Sequence, residues 1–312
     1  MVVSIRNLTK RYGDLTALDD FSLGIGEGEV FGLLGPNGSG KTTAINCMLS
    51  LLKFERGTVE LFGRPMQPDA YDIKRDIGIV MQNVAVFDEL TVAENVDYFC
   101  GLYIADKRTR RPLVDEAIAA TGLSEFRKFY PKKLSGGLLR RLNIACGIAH
   151  KPKLIVMDEP TVGVDPQSRN NILEGILKLN AGGATVLYTS HYMEEVEQIC
   201  SRIAIMDRGR VIALGTNAEL KNMAGAGEKI TVEVFSADRG FLAGLREMPS
   251  VISAECANGT LLVKSARGGN SLLGVLDHLK SRGVAFGKVF SELPTLNDVF
   301  LEITGKNLRD EG

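Results

Sequence analysis

Four short runs along the chain are apolar almost without interruption: Val30-Phe31-Gly32-Leu33-Leu34, Ile77-Gly78-Ile79-Val80-Met81, Leu154-Ile155-Val156-Met157 and Ala184-Thr185-Val186-Leu187-Tyr188. Runs of this length without alternation predict strands covered on both faces. Other stretches carry the helical period. Ala44, Ile45, Met48, Leu49 and Leu52 recur at helical spacing after the first run. Thr91 and Glu94 form a T-x-x-E capping box that opens a helix through Val92, Val96, Tyr98 and Phe99. Pro112 to Ala120 reads as a second helix with proline near its first turn, and Leu138 to Ala149 as a third. Further helices are expected near 167–180 and 192–200. Strands alternating with helices predict an α/β core, and the consecutive helices of 91–149 predict a helical subdomain inserted into it.

The ends of the chain read differently. Residues 2–8, 21–25 and 57–62 look like strands with polar turns between them, and strands near 202–206 and 210–214 close the first domain. Val84-Ala85-Val86-Phe87 is apolar but outside any clear period; it fits either an exposed docking surface or ordinary core. Around Met223-Ala224-Gly225-Ala226-Gly227 the composition turns to small residues, a linker signal. Beyond it come strand 229–235, helix 239–247, strands 250–257 and 260–265, helix 270–282 and strand 284–291. That is the βαββαβ, ferredoxin-like order. A last helix, 294–304, begins at Pro294. The expected domains are therefore 1–222, with a helical subdomain at about 88–150, a linker at 223–228 and a small α+β domain at 229–312.

Composition narrows the class. Of 312 residues, 45% are hydrophobic and 24% charged, ordinary for a soluble globular chain, and the net charge of −1 gives no basic nucleic-acid surface. No stretch of 18 apolar residues is present to span a bilayer, and Met1 to Arg6 alternates like a strand without signal-peptide organisation. The cysteines, Cys47, Cys100, Cys146, Cys200 and Cys256, are odd in number and widely spaced, which suits free thiols in a reducing compartment.

The first apolar run leads into Gly35-Pro36-Asn37-Gly38-Ser39-Gly40-Lys41-Thr42-Thr43, which fits G-x-x-x-x-G-K-[ST] between a predicted strand and a predicted helix. Glycines let backbone N–H groups close around crowded phosphate charge, and the helix N-terminus points its free N–H groups at the same charge. Lys41 brings a point charge to the β- and γ-phosphates, and the Thr42 hydroxyl is placed to ligate Mg²⁺. Asp158 and Glu159 end the third apolar run, where open α/β sheets bind ligands. Tyr12, in the first turn, either stacks on a base or packs on its own loop.

Asp158-Glu159, Gln82, His191 and Leu134-Ser135-Gly136-Gly137 all accompany this one P-loop. The combination resembles the ATP-binding cassette family, the nucleotide-binding subunits of ABC transporters, over roughly residues 2–222. Leu293-Pro294-Thr295-Leu296-Asn297-Asp298-Val299-Phe300 is similar to the end of ABC-2 type exporter ATPases, among them drug-resistance and sodium-efflux-type subunits. The resemblance implies a P-loop NTPase core with an N-terminal antiparallel β-subdomain and a helical subdomain. It also implies an ATPase with ATP and Mg²⁺ as its cofactors. Asp158 would hold Mg²⁺ through water. Glu159 would be the general base, and His191 would orient the attacking water. Gln82 would bind the metal or water and hinge the helical subdomain, and Tyr12 would stack on adenine. Ser135, Gly136 and Gly137, at a helix start that favours an anion, would meet the ATP of a second cassette, with Asp165 at the junction. Leu138 stands where the family signature usually has glutamine; the serine and glycine contacts would remain.

The family further implies a separate transmembrane permease, exporting a drug, lipid, polysaccharide or ion, and a cytoplasmic location at the inner face of the cell membrane through that partner. Two other functions compete. A soluble cassette ATPase working on nucleic acid or ribosomes usually carries coiled-coil or zinc-finger insertions or two cassettes in one chain, none of which is seen. A nucleotide sensor without turnover would not need Glu159 and His191.

Overall fold

At the N-terminus, alternating residues pair into a hairpin. β1 (Val3–Tyr12) runs antiparallel to β2 (Leu15–Ile25). Both strands are longer than the sequence predicts, because residues 15–20 belong to a half-exposed edge strand with no continuous apolar face. The computed structural model describes residues 1–223, 227–235, 239–266 and 271–304. Ala224, Gly225 and Ala226 of the expected linker, and the chain after Thr304, lie outside the described residues.

The next elements follow in order: β3 (Val30–Leu34), α1 (Lys41–Met48), β4 (Arg56–Leu61), β5 (Arg64–Pro65), α2 (Tyr71–Lys74) and β6 (Ile77–Val80). The helical part comprises α3 (Val92–Gly101), α4 (Lys107–Ala120) and α5 (Gly136–Ile148). The core resumes with β7 (Leu154–Asp158), α6 (Pro166–Ala181), β8 (Thr185–Ser190), α7 (Met193–Ile199), β9 (Arg202–Asp207), β10 (Arg210–Gly215) and α8 (Asn217–Met223). Two sheets result. One is antiparallel, in the order β2-β1-β4-β5; the other has the order β10-β9-β3-β8-β7-β6 and is parallel except for β10. Every residue of β3, β7 and β8 is buried, as uninterrupted apolar strands require. The core packs Leu8, Phe21 and Leu61 of the antiparallel sheet, Ile45 and Met48 of α1, and Phe31, Val156 and Leu187 of the parallel sheet into one cluster.

Several boundaries differ from expectation. The α3 capping box is formed on both sides. However, α4 begins at Lys107, with Asp106 as its N-cap, so Pro112 lies inside the helix rather than at its start. The five residues before it are polar on all sides and give no apolar period to read. Leu52 lies beyond α1, and residues 217–223, part of them assigned to the linker region, are helical.

The chain divides into two compact units, Met1–Asn217 and Ala218–Asn307. The second takes in α8 after Asn217 and holds β11 (Glu228–Val234), α9 (Arg239–Arg246), β12 (Val251–Ala257), β13 (Thr260–Ser265), α10 (Ser271–Ser281), β14 (Phe286–Glu292) and α11 (Leu296–Thr304). Its antiparallel sheet has the order β12-β13-β11-β14, the ferredoxin-like arrangement. Ile230, Val232, Leu261 and Val263 of the sheet pack on Phe241 and Leu245 of α9 and Val275 and Leu279 of α10.

Candidate functional site

The loop between β3 and α1 is shaped by its glycines. A Cβ on Gly35 would stand 2.4 Å from the Met206 carbonyl oxygen. One on Gly40, at φ +108°, would stand 2.7 Å from that of Ala17. Only glycine permits that approach and that dihedral. The loop delivers Lys41 as the first residue of α1, only 5% exposed. Its ammonium donates to the carbonyls of Gly35 (2.8 Å) and Pro36 (3.1 Å) and lies 3.2 Å from Glu159 Oε1. Ser39 Oγ is buried with no hydrogen-bond partner among the described residues.

The parallel register carries the other groups to the same edge. Leu34 of β3 pairs with Ser190 of β8, Asp158 of β7 with Thr189 of β8, and Val80 of β6 with Met157 of β7. The carboxyl ends of four adjacent strands therefore lie side by side. They present the lysine loop, His191, Asp158-Glu159 and, two residues past β6, Gln82. Thr42 Oγ1 donates to Asp158 Oδ2 at 2.8 Å. Gln82 Nε2 reaches Glu159 Oε2 at 3.5 Å, and His191 Nδ1 is 3.4 Å from Glu159 Oε1, close but not aligned as a hydrogen bond. Glu159 itself sits at φ +48°, a left-handed conformation that a non-glycine residue adopts at an energetic cost. Its N–H is held by Thr189 Oγ1 (3.0 Å), and the same hydroxyl donates to Asp158 Oδ1 (2.7 Å). Thr189 thus fixes both acids. Read as sequence it is one more β-branched residue in a strand, and only the β7–β8 register reveals the role.

The remaining predicted residues form separate groups. Ser135 is the N-cap of α5, its Oγ accepting from the Leu138 N–H at 3.3 Å. Gly137 lies against α6: a Cβ there would stand 2.2 Å from Ser168 Oγ. Gly136 next to it has open space around it. Asp165 caps α6, accepting from the Ser168 N–H at 2.9 Å; the Ser168 side chain and then its N–H hold the Asp165 carboxyl below the usual carboxylate range. Tyr12, at the end of β1, is 47% exposed with the Lys10 ammonium 5.1 Å over its ring. Asn37, Gly38 and Thr43 lie on the glycine loop and the first turn of α1.

Two further contacts link the α5 helix to the stretch around Gln82. Arg140 Nη1 donates to the Met81 carbonyl (3.1 Å), and burial lowers the guanidinium pKa. Asn143 bridges Met81 O and the Ala85 N–H. Past Gln82, Val84, Ala85 and Phe87 are exposed, so the 84–87 segment is not core. Phe87 meets the Tyr98 ring edge-on (centroids 4.9 Å apart) and stacks on Phe99 (5.8 Å), both of α3, in an aromatic surface cluster.

The residues fit a magnesium–triphosphate ligand. A glycine loop too tight for side chains, an unpartnered buried hydroxyl at Ser39, a buried lysine and helix N–H groups make an anion cradle. Thr42 and Asp158 supply hard oxygen donors beside it, the set Mg²⁺ takes when phosphates complete its shell.

Comparison with known proteins agrees with this geometry. The family model described as "ABC transporter" matches residues 18–162. The chain is 36% identical over 311 residues to the linearmycin resistance ATP-binding protein of Bacillus subtilis, covering 99% of this chain and all of that one. It is 34% identical to a daunorubicin resistance ATP-binding protein of Streptomyces coeruleorubidus (98% and 97% covered). It is 36% identical to the Nod factor export ATP-binding protein of Ralstonia nicotianae (99% and 95%). A solved structure of a dimeric ATP-binding cassette in a post-hydrolysis state with ADP and Pi is 29% identical, with a TM-score of 0.62, covering 69% of this chain and 98% of that one.

Proposed function

The chain belongs to the ABC transporter family as an ATP-binding subunit, and from that premise we propose that two copies close on two ATP molecules and drive a separate exporter permease. It is an ATPase. The observation that carries the reading is the single edge where four parallel strands bring Lys41, Asp158, Glu159, His191 and Gln82 together.

The roles follow from that edge. Lys41, Ser39 and the N–H groups of the loop bind the phosphates. Thr42, with Asp158 and Gln82 near it, would hold Mg²⁺, which would supply positive charge beside the phosphates. Glu159 takes a proton from the attacking water, and its buried, strained setting fixes its direction. His191 orients that water and the γ-phosphate. Tyr12 offers its exposed ring to the base. At the α5 tip Ser135 caps its own helix, Gly136 has open space around it and Gly137 packs on α6. This supports the tip's serving a second copy's nucleotide, with Asp165 beside it.

The relatives are resistance and export proteins matched over nearly their full length. This supports an exporter partner and disfavours a soluble ATPase working on nucleic acid. Among the described residues no helix is long and apolar enough to cross a membrane, so transport needs a membrane-embedded partner. The chain would reach the inner membrane face through it. The exposed Val84–Phe87 segment and the aromatic cluster of α3 form its docking surface, and the Arg140 and Asn143 contacts transmit Gln82 movement to it. The test is affinity purification of the intact protein from detergent-solubilised membranes. An integral membrane protein that co-purifies and raises ATP turnover is expected. Recovery of the ATPase alone, with turnover indifferent to membrane extract, would contradict the permease reading.

A further inference from the structure

Behind the strand-end site lies a second carboxylate that none of the assigned roles uses. Glu195, in the first turn of α7, is 2% exposed. A buried carboxylate is costly unless hydrogen bonds replace its water. Here one oxygen, Oε2, accepts from three hydroxyls: Tyr188 (2.7 Å), Thr161 (2.8 Å) and Ser190 (3.0 Å). The other, Oε1, lies 3.2 Å from Arg169 Nε of α6, within ion-pair distance though not aligned as a hydrogen bond. Burial, and then the Glu195 charge, push the Tyr188 phenol well above its usual pKa, so it stays a donor.

The donors stand at significant places. Thr161 follows Glu159 by two residues. Ser190 precedes His191, and its Oγ in turn accepts from the Tyr192 N–H at 2.9 Å, so both neighbours of His191 are tied to the same carboxylate. The Tyr192 ring lies 4.1 Å from the His191 ring and carries the Arg169 guanidinium 4.8 Å over its face. Arg169 belongs to the first turn of the helix that Asp165 caps. The Glu159 and His191 loops and the helix that Asp165 caps therefore converge on one side chain.

We infer that Glu195 is a positioning residue for hydrolysis: it holds the Glu159 and His191 loops at a fixed separation without touching nucleotide. The inference rests on the catalytic reading of Glu159 and His191. Misplacement of a reacting group by about 1 Å is enough to slow turnover strongly, and an over-determined carboxylate hub limits such drift. Glutamine is isosteric but brings an N–H₂ where an acceptor is required, so it cannot serve three hydroxyls and face a guanidinium at once.

The test is the ATPase kinetics of four full-length proteins: wild type, Glu195→Gln, Ser190→Ala and the double variant, each with its melting temperature. Glu195→Gln should lower kcat by about tenfold, less than the ~10²-fold that a full 1 Å misplacement can cost, with KM for ATP unchanged. Ser190→Ala should lower kcat less, also at constant KM. The double variant should be no slower than Glu195→Gln alone, because both act through one contact. Wild-type kcat in Glu195→Gln would overturn the inference. So would kcat and KM deteriorating together with the melting temperature, or effects of the two changes that multiply in full. His191→Ala and Glu159→Gln serve as reference points. If either keeps wild-type turnover, the catalytic reading itself fails, and Glu195 positioning with it. If both are inactive while Glu195→Gln is not, only the Glu195 inference falls.

Discussion

In the first unit Lys41, Asp158, Glu159 and Glu195 are all at most 6% exposed, and their charges face one another and a ring of threonine, serine and tyrosine hydroxyls. In the second unit the interior is aliphatic and aromatic, and the buried polar residues among those described there are Ser265 and Ser271. Both units are sheets with helices packed on them, so fold alone does not account for the contrast. Buried ion pairs seldom raise stability over well-packed apolar residues. Their concentration at the strand ends of one unit marks where structure serves chemistry, and their absence from the described core of the other marks where it serves packing.

The contrast can be broken most sharply at Glu159. Glu159→Gln removes the base and keeps its shape; kcat should fall by about 10³-fold while nucleotide binding survives, measured by phosphate release and equilibrium dialysis. Steady-state turnover at the wild-type rate would remove the chemistry from this edge. Lys41→Ala comes next. Losing hydrogen bonds to charged phosphate, worth about 1.5–3 kcal/mol, should weaken ATP binding about 10- to 100-fold, and wild-type affinity in dialysis would contradict the phosphate role. In the second unit, Phe241→Ala empties a core position and should destabilise that unit by about 3–5 kcal/mol. ATP turnover by the first unit should stay intact. A matched loss of turnover and stability would show that the second unit is more than packing.

The smallest effect is expected at His150, a buried ionisable group of the first unit away from the strand-end cluster. Its ring stacks on Tyr103 at 3.7 Å and its Nε2 contacts the Ile77 carbonyl at 3.2 Å. Burial lowers its pKa from the ordinary 6.5. The unfolded chain therefore takes up the proton first. Stability should be intact above that pH and decline as pH falls through it. Melting curves between neutral pH and pH 5 should show a shallower acid decline for His150→Gln than for wild type; equal slopes would discount the histidine.

Much of this was legible in the residues. β3, β6, β7 and β8 announce themselves as apolar runs, and the glycine loop, Gln82, Asp158-Glu159 and His191 stand at their ends. The capping box of Thr91 and Glu94 forms as written. What stayed hidden lacks a local signal. β2 is a half-exposed edge strand, and the first turn of α4 is polar all round, so an apolar period begins only at Pro112, five residues into the helix. Thr189 looks like any strand threonine, and Glu195 looks like a solvated acid complementing a helix dipole. Their partners are supplied by strand register and by residues 5 to 34 positions away on other elements, an arrangement that no single-stretch pattern encodes.

The central claim is that ATP joins two copies, each offering its lysine loop to the other's α5 tip. The direct measurement is the solution mass of the Glu159→Gln protein by light scattering, with and without Mg-ATP. Twice the monomer mass with nucleotide, falling back to the monomer when Lys41→Ala is added, is the predicted result. A protein that stays monomeric at saturating Mg-ATP, alone and with its membrane partner, would contradict it.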